Sequence, residues 1–203
     1  MAYPKPDLAG TTRISVHGNN GWLLGVNLPW INCGNDFGES GYGSYGIGAT
    51  DPPGYEAPLS SDELRSAFQT MQSAGVNLAR WFLFFDGHAG IIYDAAGSPE
   101  GLDGVIFRDI DAAIEIAKTY GIRIMFVLIS FDWMFVGAPD HVSGGRSHIL
   151  QSAALQDELV NNVFVPLFQR YANDDSVIAY DVANEPEWAV TDVGLSNPPQ
   201  ING

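Results

Sequence analysis

A single cysteine, Cys33, stands in 203 residues. No intrachain disulfide can staple this chain, and cysteine usage says little about its compartment. Basic residues are also scarce: nine Lys and Arg against 24 Asp and Glu leave a formal net charge of −15. Such a surface repels nucleic acid and anionic membranes, and it suits a neutral partner or solubility alone. No apolar run is long enough to span a bilayer, and residues 1–7 lack the basic-then-apolar pattern of a secretory signal. Cytoplasmic and secreted locations, the latter with its signal removed, both stay open. No Asn-x-Ser/Thr acceptor occurs, and the four histidines fall without metal-ligand spacing. Neither a metal nor a cofactor is expected.

What is present is apolar, aromatic and rich in glycine. Residues 13–16 and 22–30 flank the turn-rich His17-Gly18-Asn19-Asn20-Gly21, which predicts an opening β-hairpin. Its second arm runs on as the first core strand. A long Gly- and aromatic-rich loop follows over residues 32–58, of the length that is usually functional or disordered. Within it Gly41-Tyr42-Gly43-Ser44-Tyr45-Gly46 spells the dinucleotide-binding pattern. That pattern needs a strand before it and a helix opening inside it, and the helix signal comes some fifteen residues later, so it is rejected. The helix begins after Ser60, which has capping-box spacing to Glu63, and Gly75 stops it. Apolar strands are expected over residues 76–85, 122–131 and 177–184. Between them lie a helix with Ile110, Ile114 and Ala117 on one face, closed by Gly121, and a helical stretch over residues 152–172 that Pro166 divides.

The order is strand, helix, strand, helix, strand, helix, strand. Strands apolar throughout and separated by helices predict a parallel sheet covered by helices, within one α/β domain over residues 1–203. Right-handed crossovers gather the loops that trail the strands on one face. A (β/α)8 barrel of the TIM type is the favoured architecture, with about its first four strands and three helices present. A doubly wound open sheet competes, but it carries a tight loop after its first strand, where this chain has a very long one.

Polar chemistry collects where the strands end. The last strand runs Val177-Ile178-Ala179-Tyr180-Asp181-Val182-Ala183 and stops at Asn184-Glu185-Pro186-Glu187-Trp188. Pro186 should hold Glu185 out of the α region and remove the next ladder donor. The other ends bring Trp30, Arg80, Trp81, Asp86, Asp132 and Trp133. Sugars offer flat apolar faces rimmed by hydroxyls, so indoles beside amides and carboxylates suit a carbohydrate. Trp81, inside a strand, is better read as core. Trp30, Trp133 and Trp188, each beside a polar residue, are read as platforms. Arg80 cannot lose its proton and must find a carboxylate or a polar cavity; a structural ion pair and a role in orienting a catalytic carboxylate both fit.

These features resemble the N-terminal half of a clan A glycoside hydrolase, in the style of the family 5 cellulases and mannanases. The features that match are the leading hairpin, Gly25-Val26-Asn27-Leu28-Pro29-Trp30, Gly75-Val76-Asn77-Leu78-Ala79-Arg80-Trp81, and Asn184-Glu185-Pro186 at the end of strand four. The resemblance implies Glu185 as general acid/base, Asn184 on the 2-hydroxyl of the attacked sugar, and Arg80 beside the nucleophile. Asp132 would bind substrate, and Glu187, two residues past Glu185, would have a support or subsite role. The substrate would be a β-linked poly- or oligosaccharide. Where family 5 often carries a histidine near the end of strand three, this chain has Asp132-Trp133.

Retaining hydrolysis needs a second carboxylate about 5–5.5 Å from the first. The resemblance puts it on a seventh strand, so the nucleophile is expected outside this chain. Open strand edges would then favour self-association. A noncatalytic sugar-binding half-barrel, or an associating module unrelated to sugars, remains an alternative.

Overall fold

The computed structural model describes residues 23–28, 36–40, 43–44, 61–137 and 145–188. The first arm of the expected hairpin, its spacer and Trp30 lie outside the described residues. In chain order the strands and helices are β1 (Gly25–Leu28), β2 (Glu39–Ser40), β3 (Gly43–Ser44), α1 (Ser61–Ser73), β4 (Leu78–Phe84), β5 (Ile91–Tyr93), β6 (Pro99–Leu102), α2 (Ile106–Thr119), β7 (Arg123–Ser130), α3 (Ser147–Leu150), α4 (Ala153–Glu158), α5 (Val165–Tyr171) and β8 (Val177–Asn184). Strands β1, β4, β7 and β8 form one sheet in that order, every pair parallel. Nowhere among the described residues does the strand order reverse, as a doubly wound sheet requires.

Both helix stops read from glycine are present. After α1, Gly75 has φ 78°, its N–H donates to Gln72 O, and Val76 N–H donates to Met71 O. After α2, Gly121 has φ 65° and the same two bonds reach Lys118 O and Ala117 O. This is the left-handed cap that only glycine enters without a Cβ penalty. The chain turns two residues past each helix and then enters the next strand.

The core lies between the sheet and its helices. Ala79, Trp81 and Leu83 of β4 and Ile124, Phe126 and Leu128 of β7 pack with Leu64 and Phe68 of α1, Ile110, Ala113, Ile114 and Ala117 of α2, and Leu167 and Tyr171 of α5. Phe68 meets Trp81 edge-on at 5.8 Å, an arrangement that ring quadrupoles favour. Residues 153–171 run as one helical stretch, divided as expected near Pro166. The division is a π turn, Leu159–Phe164, directly before the proline's turn. Within it Asn162 Nδ2 donates to Pro99 O at 2.8 Å, which docks the helix on β6.

Three departures from the sequence expectations occur. The stretch read as a loop between β4 and α2 contains an antiparallel hairpin, β5 with β6. Its turn is closed by Asp94, whose Oδ1 accepts from Ala96 and Ser98 N–H, with Gly97 at φ 81°. The stretch read as a loop after β7 holds a 3-10 turn, Phe131–Met134, and α3. Within the first long loop, Gly43 and Ser44 form a strand paired with β2, and no helix opens among the described residues there, so the dinucleotide pattern lacks its structural context among them. That loop is also anchored. Asp36 Oδ2 accepts from Trp81 Nε1 at 2.6 Å, Phe37 is fully buried, and Gly38 N–H donates to Asp109 Oδ2 at 2.9 Å.

Candidate active site

Parallel pairing aligns residues of equal height on the same face. The rows Asn27–Arg80–Met125 and Phe82–Val127–Asp181 follow from the register. They lie on the face opposite the helices, and Phe82 and Val127 are buried there outside the main core. Arg80 spans this face across β7. Its guanidinium lies 5.3 Å from the centre of the Phe82 ring and reaches Asp181 of β8.

Arg80 answers the question its sequence position posed. Nε and Nη2 both donate to Asp181 Oδ2, at 3.0 and 2.5 Å. Nη2 also donates to Asn184 Oδ1 at 3.1 Å, and Nη1 to Asn27 Oδ1 at 3.2 Å. A guanidinium has five N–H donors, so among the described residues four are used and one, on Nη1, is left. The pair is only partly shielded, at 20% and 30% exposure. Its value is orientation more than stability.

From Asn184 the chain of bonds continues along the rim. Its Nδ2 donates to Ser130 Oγ at 3.4 Å, and the Ser130 side chain in turn hydrogen-bonds the carboxyl of Asp132. Arg80 can only donate, so the Asn184 oxygen must face it and the amide nitrogen must face away. Asn184, Arg80 and Asp132, selected from sequence, are thus brought together. Asn27, Ser130 and Asp181 complete the network and were not selected. For Asp181 a signal existed: a lone acid inside one apolar strand is the natural mate of a lone base inside another.

Glu185 follows at once, with φ 51°. It is outside the right-handed α region that a following proline disfavours, and it has the positive φ of the left-handed region, which costs a non-glycine residue about 1–3 kcal/mol and is kept where a site requires it. The strand does end there, and a 3-10 turn, Pro186–Trp188, takes over. Glu185 and Glu187 are exposed. The described residues do not enclose Glu185. The side chain of Trp188 lies outside the described set.

Trp133 differs most from its expected role. It is fully buried, its Nε1 donates to Phe84 O at 2.6 Å, and a side chain at Gly87 would strike its ring. It is a wall beneath the β4–β5 turn, with no face free to stack on a sugar. Arg146, also buried, donates from Nε to Gly87 O and lies 4.9 Å over the Tyr93 ring, fixing the same turn. Trp81 is core, as expected.

Carboxylates crowd the rim. Burial works against ionisation of Asp86, but the ring and backbone N–H of His88 outweigh it and hold the carboxyl below its usual range. His88 Nδ1 lies 3.0 Å from Asp86 Oδ2. Asp132 is shifted the other way. Burial raises its carboxyl, the Ser130 hydrogen bond opposes this, and the charges of Asp86 and Glu185 add to the rise. Ionising Asp132 therefore opposes folding. That penalty is absent below the unfolded carboxyl's pKa, about 4, and grows as pH rises through it to the higher folded value. Asp132→Asn is expected to raise the unfolding temperature at pH 7 and leave it unchanged near pH 3. An equal gain at both pH values would remove the electrostatic explanation.

Among the described residues no group of three or more His, Cys, Asp or Glu could hold a metal ion, and no helix is long and apolar enough to cross a membrane.

No family model matches the chain. It is 24% identical over 190 residues to a mannan endo-1,4-beta-mannosidase of Mytilus edulis, covering 93% of this chain and 46% of that protein. It is likewise 24% identical over 172 residues to one from Cryptopygus antarcticus, covering 84% and 39%. The solved β-mannanase of the blue mussel superposes with a TM-score of 0.55 at 23% identity, over 62% of this chain and 34% of that one. The chain resembles the β-mannanases. The resemblance to family 5 drawn from the motifs is borne out, and the shared fold is α/β with a parallel sheet. The chain spans less than half the length of the curated relatives it matches.

Proposed function

We propose that these residues are the first half of a (β/α)8 barrel in a retaining glycoside hydrolase that cleaves β-1,4-linked mannan or a related β-linked polysaccharide. Glu185 is the general acid/base. Asn184 holds the hydroxyl next to the reacting carbon, and Arg80 orients Asn184 and keeps one N–H for the nucleophile. Trp30 and Trp188 are the sugar platforms, and Asp132 and Glu187 line the approach. The nucleophile comes from outside these 203 residues, and the remaining strand–helix units cover the edge of β8, where Val182 is 64% exposed.

The observation that carries this proposal is the linked group Arg80–Asp181–Asn184 beside Glu185 at the strand ends. A barrel places its chemistry at that end of the strands. The likeness to mannan endo-1,4-beta-mannosidases supplies the substrate class.

The test is hydrolysis by the full-length natural protein. Release of reducing ends from β-1,4-mannan well above the rate on cellulose is expected, with the anomeric configuration retained in the first product seen by NMR. Inversion would overturn the two-carboxylate arrangement with a nucleophile. Saccharide affinity without hydrolysis, unaffected by Glu185→Gln, would favour the noncatalytic sugar-binding alternative.

A further inference from the structure

We propose that Asp181 is a positioning residue that acts through Arg80 to fix the amide of Asn184 in one of its two orientations; this rests on the glycosidase reading of the site. An asparagine amide is nearly symmetric in shape, and only its partners decide which end is oxygen and which is nitrogen. At Asn184 the decision comes from Arg80 Nη2, 3.1 Å from Oδ1. Arg80 in turn reaches over the apolar Met125 and Val127 of β7, neither of which offers it a bond.

What holds the guanidinium there is Asp181. One carboxylate oxygen takes both Nε and Nη2, and two bonds to one edge of a rigid plane fix its rotation. The second Nη2 hydrogen then falls on Asn184. Asn27 alone holds Arg80 by a single bond at 3.2 Å on the other side, which leaves the plane free to turn. With Oδ1 committed, Asn184 presents Nδ2. One of its hydrogens goes to Ser130 at 3.4 Å, and the other has no partner among the described residues. Asn184 thus offers a substrate the free hydrogen of Nδ2, and it selects a sugar with a hydroxyl oxygen at that position over one without.

The consequence is a specificity effect of a residue that touches no substrate. Take the full-length protein acting on an aryl β-mannotrioside and on its analogue lacking the 2-hydroxyl of the sugar next to the leaving group. The wild type is expected to prefer the hydroxylated substrate. Asp181→Asn preserves volume and one acceptor but removes the charge that grips the fork. It should shrink that preference, as a kcat/KM ratio, by about tenfold, the scale of one well-made hydrogen bond. Asp181→Glu should recover part of it.

A merely structural role would lower the unfolding temperature and leave the ratio where it was; a folded D181N with an unchanged ratio overturns the proposal. Should D181N fail to fold, Arg80→Lys decides. It keeps the charge and loses the fork, and an unchanged ratio in that variant overturns the proposal equally. A wild type inactive on both substrates overturns the glycosidase reading itself.

Discussion

Glu185→Gln in the full-length protein is expected to slow turnover of mannan by roughly 10²–10⁴-fold, the usual contribution of a positioned general acid or base. The loss should depend on the leaving group. A sugar alkoxide needs its proton as the bond breaks, and glutamine has none to give. A dinitrophenolate leaves without help, so the first step on an activated aryl mannotrioside should be nearly as fast as in the wild type. The second step would then limit, because the same residue must activate water, and an exogenous nucleophile such as azide should relieve that block. Equal losses on both substrates would count against the acid role. Glu185 is exposed among the described residues.

Much of this was legible before any coordinates. Apolar runs bounded by Gly75 and Gly121 gave the strand–helix alternation, because a left-handed cap leaves few other uses for a glycine at the end of an amphipathic run. Arg80 was legible as a residue that must be paired, since a guanidinium in an apolar strand has no neutral form to retreat to. Its partner was harder to find. Asp181 lies 101 positions away on a strand that does not adjoin β4, and the pairing depends on the register of both with β7. The short hairpin β5–β6 was missed because Pro99 and Gly101 break the alternating pattern of a strand, while Asp94 and Gly97 carry a turn signal too local to imply pairing. Trp133 was misplaced for a different reason. An indole beside a carboxylate at a strand end suits a platform or a wall equally well, and what decides is the missing side chain of Gly87, against which its ring packs.

Gly38→Ala should be among the most damaging single-methyl changes in the chain, at a position with no chemistry of its own. Gly38 has φ 83°, and a Cβ there would lie 2.4 Å from Gly90 Cα, 2.6 Å from Gly90 N and 2.7 Å from Asp103 Oδ2. These are not flexible neighbours. Gly90 is held in turn by Ile106 and Phe84, and Asp103 Oδ1 accepts from Val105 and Ile106 N–H at the start of α2. The loop after β1 must therefore lift. Phe37 would then leave its place edge-on to Trp81, at 4.9 Å, and Asp109, fully buried, would lose the Gly38 N–H that it accepts. Left-handed strain costs about 1–2 kcal/mol, and losing the burial of a phenylalanine costs about 3–5 kcal/mol when complete. A net loss of about 4 kcal/mol is expected, a large part of the 5–15 kcal/mol that holds a typical domain. Gly75→Ala supplies the control. Its φ is nearly the same, 78°, but nothing lies within 4 Å of the added Cβ, so only the strain of about 1–2 kcal/mol should appear. Urea unfolding of the two variants separates conformation from collision. Equal losses would mean that the loop after β1 is not seated on the β4–β5 turn.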